Sequence, residues 1–266
     1  MNFNRDATSC LDSTDRPKFR KLDKSGNKYF VNHGRKFYAN VTLNKENYEK
    51  AFNFSYDMSF GHVGAHRDHR SGGTHHRKKG EIFANTFQGK LAEFATYEYL
   101  KARGIEIEDP DISVYGLSQW DSYDLKANDK IINIKSTKYY GNLLLLEKKD
   151  WDNEARYLAN FVSDEVIYDF FVLVRIKPDI VKILKQNQLY FSDGCNYEIL
   201  KNLFNYSCFK YNIAGFITID DLKTIINSNH YIPRGSILNL YTCIDADNYY
   251  IQSDDMSEIE ELINLL

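Results

Sequence analysis

The chain has no Cys-x-x-Cys pair, and its four cysteines, Cys10, Cys195, Cys208 and Cys243, stand far apart. That spacing argues against a zinc knuckle and leaves reduced thiols as the expectation. No apolar run reaches the roughly 18 residues that a membrane-spanning helix needs. The N-terminus carries no charged-then-apolar leader. The expectation is a cytoplasmic protein with no membrane partner. An internal repeat and a low-complexity linker are also missing. Aromatic residues are plentiful: they make up 15% of the chain, with 20 tyrosines, and 43% of the 266 residues are hydrophobic. One large core or two small ones are within reach.

Charge is divided unevenly. Residues 1–90 hold 17 Lys and Arg against 9 Asp and Glu, and the remainder holds 17 against 28. Six of the seven histidines also fall in the first 90 residues. A basic part joined to an acidic part suits a polyanion-binding surface attached to a cation-binding one.

Lys28–Asn32 and Arg35–Leu43 pattern as short strands around His33-Gly34. The stretch 61–80 is loop-like, with Gly61, Gly64, Gly72, Gly73 and Gly80 interrupting a His, Arg and Lys run. From Ile82 to Arg103 there is no Pro and one Gly, and Gly104 follows as a helix stop. Leu143 to Leu146 reads as a buried strand or the start of a helix, and 150–161 as a helix. Tyr168–Ile176 is the clearest buried strand, closed by Pro178. Further on, 215–219 reads as a strand, and 220–227 and 257–266 as helices, with Thr218 at the N-cap of the first. The order of elements gives a mixed α/β core with a central sheet flanked by helices. The expected division is a basic N-terminal region over 1–82, a core over 83–178 and an α/β extension over 179–266.

The chemistry concentrates at Asp124-Leu-Lys-Ala-Asn-Asp-Lys-Ile-Ile-Asn133-Ile-Lys135. Asn128-Asp129 suits a tight turn between two strands. Alternation puts Ile132 and Ile134 on one face and Asn133 and Lys135 on the other, with Asp124 across from them. Mg²⁺ takes oxygen ligands and keeps several waters. Asp124 offers an anionic oxygen, Asn133 an amide oxygen and Ile134 a backbone carbonyl. Lys135 supplies a point charge for a nucleophilic water or a phosphate. Asp121 and Asp111 compete for the role of Asp124; Asp111 sits in a turn too far off, and Asp121 needs a wider hairpin register.

This hairpin resembles the PD-(D/E)xK nuclease superfamily, which includes many type II restriction endonucleases. Asp124, Asn133 and Lys135 fall on its three positions, with an amide where a carboxylate is usual. Gly89-Lys-Leu-Ala92-Glu93, with Leu100 and Gly104, is similar to the superfamily's opening helix. The resemblance spans roughly residues 83–177. It implies a restriction-endonuclease-like core, Mg²⁺ as cofactor, Glu93 as a further metal-supporting acid, and a homodimer that cuts double-stranded DNA at a specific site. It leaves two other readings open: a junction-resolving or repair nuclease, and a DNA-binding protein on a disabled nuclease scaffold, with Asn133 as the lesion.

Ahead of that helix lies a basic run with Arg67, Arg70, His75, His76, Arg77, Lys78 and Lys79. It is unconvincing as a zinc site, because no Cys is near and acids are few. It suits phosphate contacts made without sequence reading, and a solvated basic loop is the plain alternative. Gln88 and Lys138 complete the expected DNA-contacting set. The aromatic and basic mix over 16–38 is a candidate second arm.

Overall fold

A computed structural model describes residues 18–39, 41–61, 77–113, 123–158 and 167–266. The elements run β1 (Asp23–Ser25), β2 (Lys28–Phe30), α1 (Lys45–Ser59), α2 (Lys79–Lys101), β3 (Leu125–Ala127), β4 (Lys130–Lys138), β5 (Leu143–Glu147) and β6 (Phe170–Lys177). Then come α3 (Ile180–Gln186), α4 (Tyr197–Leu203), β7 (Lys210–Thr218), α5 (Ile219–Asn227), β8 (Tyr231–Ile232), β9 (Ile237–Leu238), β10 (Thr242–Cys243), β11 (Asn248–Gln252) and α6 (Ile259–Leu262).

The central sheet has the order β3-β4-β6-β7. β3 pairs with β4 antiparallel, β4 with β6 parallel, and β6 with β7 antiparallel. The fold is therefore mixed α/β. The two faces of the sheet read directly from residue parity. Ile132, Ile134, Phe170, Val172 and Val174 join α1 and α2 in one core. Phe171 and Leu173 join Leu144 and Leu146 of β5, α5 and β11 in another. A second sheet, β5-β11-β8, and a small one, β1-β2-β9-β10, lie beyond that second face.

α2 is long because nothing in it breaks the helix, and it is buried on more than one side, from Phe83 and Phe87 to Ala92, Thr96 and Leu100. Its first turn is fixed by the Glu81 carboxylate, which accepts from the Lys78 amide at 3.1 Å. Gly80 lets the helix start lie against the 189–192 backbone, since a Cβ there would come within 1.9 Å of the Leu189 carbonyl oxygen. Gly104, at φ +81°, takes the left-handed conformation just past the end. The cap predicted at Thr218 forms: its hydroxyl accepts from the Asp221 amide at 3.2 Å.

Several elements differ from expectation. The stretch 151–158 is not helical. Asp152 Oδ1 accepts from the Glu154 and Arg156 amides, and the Asp152 carboxylate pairs with the Arg156 guanidinium, so local side-chain bonds replace the helical ladder. Phe161 lies outside the described residues. Arg35–Leu43 forms no strand beyond an isolated bridge from Val41 to Tyr211. The buried Arg175 guanidinium takes the Arg35 and Lys36 carbonyls, occupying groups a ladder would have used. The last helix shrinks to Ile259–Leu262. α1, α3 and α4 were not foreseen. The boundary drawn after residue 178 runs through the central sheet, because β7 completes it. Likewise, α1 packs on α2 through Phe52 and Phe87, whose ring centroids are 5.5 Å apart.

Candidate active site

β3 and β4 form the expected hairpin, with Asn128 at φ +49° in the turn. Leu125 pairs with Ile132, so Asp124 stands one residue beyond the ladder, opposite Asn133. The Asp124 carboxylate accepts from the Ile134 amide at 2.7 Å. Neighbouring residues of a strand direct their amide and carbonyl to opposite sides. The Ile131 carbonyl accepts from Asp169, on the β6 side. Ile134 is three residues on and turns its backbone polar groups toward the β3 edge, where Asp124 sits.

Asn133 is only 4% exposed, and Phe171 is its partner in the β4–β6 register. The Tyr168 hydroxyl lies near it. The Asn133 carbonyl oxygen, Oδ1, is buried without a hydrogen-bond partner. Leaving such an acceptor unpaired costs about 1–3 kcal/mol. Tyr168 is itself buried, and burial drives its pKa well up, with the negative charge of Asp124 adding to the rise and the nearby Asn133 amide opposing it. The phenol is neutral at any ordinary pH. Its two neighbours place Asp124 and Asn133 at one spot, around a tyrosine that the sequence offered only as the start of a strand.

The donors at this spot are all oxygens: an Asp124 carboxylate, an orphaned Asn133 amide oxygen and the edge carbonyl of Ile134. That set suits a hard cation such as Mg²⁺ rather than zinc. Among the described residues no group of three or more His, Cys, Asp or Glu converges as a metal site. The set therefore has one anionic member and neutral partners.

Lys135 shares the Asn133 face and opens into a cavity of about 810 Å³, lined also by Gln88, Ser136, Glu147, Asp150 and Tyr157. Among the described residues it has no ion-pair partner. The other lysines of the predicted set are engaged: Lys78 with Asp193 at 2.6 Å, and Lys138 with Asp179 at 3.1 Å. Glu147 and Asp150 were not predicted. Burial raises the Glu147 pKa, the neighbouring Asp150 raises it further, and Lys149 opposes both. The only sequence signal for Glu147 was its place at the end of the four leucines.

α2 meets β4 through Gln88, whose side-chain amide donates to the Ser136 hydroxyl at 3.3 Å. Glu93 lies about 140° farther round the helix at 100° per residue. Its carboxylate pairs with Lys90 at 2.6 Å, both side chains being nearly buried, and that ammonium also sits 5.2 Å from the Phe54 ring of α1. The structure thus brings Asp124, Asn133 and Ile134 together and adds Lys135 beside them; it engages Glu93 with Lys90, toward α1. Arg77, Lys78 and Lys79 stand at the start of α2. Arg67, Arg70, His75, His76 and Asp121 lie outside the described residues. No helix among the described residues is long and apolar enough to cross a membrane. Comparison with family models, with curated proteins and with solved structures returns no match.

Proposed function

We propose that the protein is a Mg²⁺-dependent DNA endonuclease of the type II restriction class, acting on double-stranded DNA as a cytoplasmic homodimer. The observation that carries the reading is the buried, unpartnered Asn133 oxygen beside the Asp124 carboxylate, two residues from a lysine with no carboxylate of its own. A cation held there by Asp124 Oδ1, Asn133 Oδ1 and the Ile134 carbonyl would lower the pKa of a bound water and neutralise charge developing on phosphorus. Asp124 is oriented for this by the Ile134 amide, which fixes one carboxylate oxygen and leaves the other for the ion. Asn133 is held by burial in the strand, with its oxygen unpartnered. Lys135 extends into the cavity, where its ammonium contacts a non-bridging phosphate oxygen or the attacking water. Glu93 serves this reading by holding Lys90 against α1, not as a direct ligand. Two symmetry-related sites match the two strands of a duplex, which is the reason to expect a dimer.

The experiment is incubation of supercoiled plasmid with Mg²⁺. Wild-type protein linearises or nicks it, and Lys135→Ala slows this about 10²- to 10³-fold, the usual loss on deleting one charge-stabilising group. Equal cutting by Lys135→Ala removes the assignment.

The amide at 133 favours one other reading, a DNA-binding protein that no longer cuts. Asn133→Asp separates the two. An inert parent that gains cleavage from this change supports the second reading, and an active parent excludes it.

A further inference from the structure

The cavity of about 810 Å³ that receives Lys135 is lined by both signs of charge, and the catalytic reading uses only one of them. Its cations, Lys135, Lys138 and Lys185, come from β4 and α3. Its acids, Glu147, Asp150 and Asp245, come from the end of β5, the turn after it and the segment before β11. A duplex backbone matches the first group and is repelled by the second. A ligand that suits the whole lining carries its own charge at one end only.

Among the described residues Lys135 and Lys185 have no ion-pair partner, whereas Lys138 is held by Asp179 at 3.1 Å. Glu147 Oε2 is buried and accepts no hydrogen bond. The Lys149 ammonium stands 3.6 Å from it, beyond good hydrogen-bond reach. Asp150 and Asp245 add their negative charge to the same spot. A buried acceptor in that setting gains from a ligand N–H donor and loses by meeting a carbonyl oxygen. Tyr140 and Tyr190 line the cavity as well, each with an ammonium beside its ring. Lys138 stands 5.8 Å from the Tyr140 centroid and Lys185 stands 4.8 Å from that of Tyr190. Tyr140 is 57% exposed, so its ring is open to a flat partner. The volume falls in the range of roughly 300–1,000 Å³ that takes a small organic ligand.

We propose that this cavity binds a single guanine nucleotide, with its phosphate at Lys135 and Lys185, its base on the Tyr140 and Tyr190 rings and its N–H edge at Glu147. Guanine presents adjacent ring N–H and amino donors, which a carboxylate accepts together. Uracil and thymine flank their one ring N–H with two carbonyl oxygens, which the acids repel. The site shares Lys135 with the nuclease reading, yet it needs neither Mg²⁺ nor cleavage. The nucleotide is either free or an unpaired member of a DNA strand, since both present the same groups.

The test is calorimetric titration of the whole chain in EDTA. The ligands of the first arm are guanosine 5′-monophosphate, uridine 5′-monophosphate and guanosine. The guanine nucleotide should bind at least about tenfold more tightly than either of the others. Glu147→Gln, which keeps the side-chain shape, should bring the guanine-to-uracil ratio within about threefold. Lys185→Ala, at an exposed position, should weaken both nucleotides about three- to tenfold and leave the ratio unchanged. The second arm uses short duplexes with one unpaired guanine or one unpaired thymine. A guanine preference in the first arm assigns a free nucleotide, and one confined to the second assigns a strand nucleotide. No binding, or no guanine preference, in both arms overturns the proposal. So does a Glu147→Gln protein that keeps the wild-type preference. Plasmid cleavage is scored separately with Mg²⁺, so the nuclease reading stands or falls on its own.

Discussion

The two faces of the central sheet are built to different ends. On the α1–α2 face, Phe52, Phe83, Phe87, Phe204 and Phe209 meet ring to ring at 5.3–6.2 Å, every pair tilted or edge-on. Of these aromatic rings, Phe83 and Phe87 have no solvent exposure. The opposite face and the β5-β11-β8 layer behind it also hold a packed apolar cluster, but polar groups are buried within it at a cost. Asn133 Oδ1 and His230 Nε2 have no hydrogen-bond partner, and burial beside Asp150 raises the Glu147 pKa. The first face is built mainly of packed rings, with one orphaned polar group, the Tyr211 hydroxyl. The second buries more of them, one at the candidate site, as expected if function competes with packing there.

The largest expected effect breaks the first face. Phe87→Ala should destabilise the protein by about 3–5 kcal/mol, through lost burial and a cavity among five rings. Urea unfolding reads this as a lower midpoint with an unchanged slope. On the second face, Lys135→Ala should leave the unfolding midpoint within about 0.5 kcal/mol of wild type. It should still remove most DNA cleavage. A parallel fall in both quantities would make Lys135 a packing residue and collapse the distinction between the faces.

His230 sharpens the comparison through pH. It is 4% exposed and lies 4.1 Å from the Tyr250 ring. Burial, aided by the charge of Lys21 and opposed by Asp255, lowers its pKa from 6.5 to about 4. The unfolded chain binds the proton first. Stability therefore falls as pH drops through the window from 6.5 to 4, and the loss is complete below it. The loss is on the order of 3–4 kcal/mol, at 1.36 kcal/mol per pKa unit. Denaturant midpoints taken across that window should show it for wild type and not for His230→Gln. A flat wild-type profile would place His230 in contact with water.

The smallest effect is at Glu147. Its raised pKa means that the folded state holds the proton more tightly than the unfolded state does. Ionised Glu147 thus lowers stability at neutral pH, and the penalty vanishes as pH falls below the ordinary 4.5. Glu147→Gln should stabilise the protein by at most about 1 kcal/mol at pH 7 and by nothing at pH 4, read by thermal midpoints. Destabilisation at pH 7 would mean that the carboxylate is paired more strongly than its neighbours indicate.

Some of this was legible from local pattern. The hairpin followed from Asn128-Asp129 and strict alternation, and β6 from an unbroken apolar run. α2 followed from an uninterrupted stretch ending at Gly104. α1 was missed because its buried stripe includes Ser55 and Ser59 along with Tyr48 and Phe52, which blurs the apolar period. The helix expected over 150–161 fails over 151–158 because periodicity is blind to a side chain such as Asp152 capping its own backbone. Gln88 was expected to contact DNA, and its side-chain amide donates to the Ser136 hydroxyl.

The sequence by itself determined the secondary structure around the site and the facing of Asn133 and Lys135, because a strand's alternation is a local property. It also determined that Asp124 would sit across the hairpin, since turn length sets register. Only the tertiary structure decided that Asn133 is buried with its oxygen unpartnered, that Glu147 and Asp150 share a cavity with Lys135, and that Glu93 turns toward Lys90 and α1. Those outcomes depend on the parallel pairing of β4 with β6, on the second sheet closing over one face, and on the rotation of α2 about its axis. Each is set by packing between segments far apart in the chain, which no local period encodes.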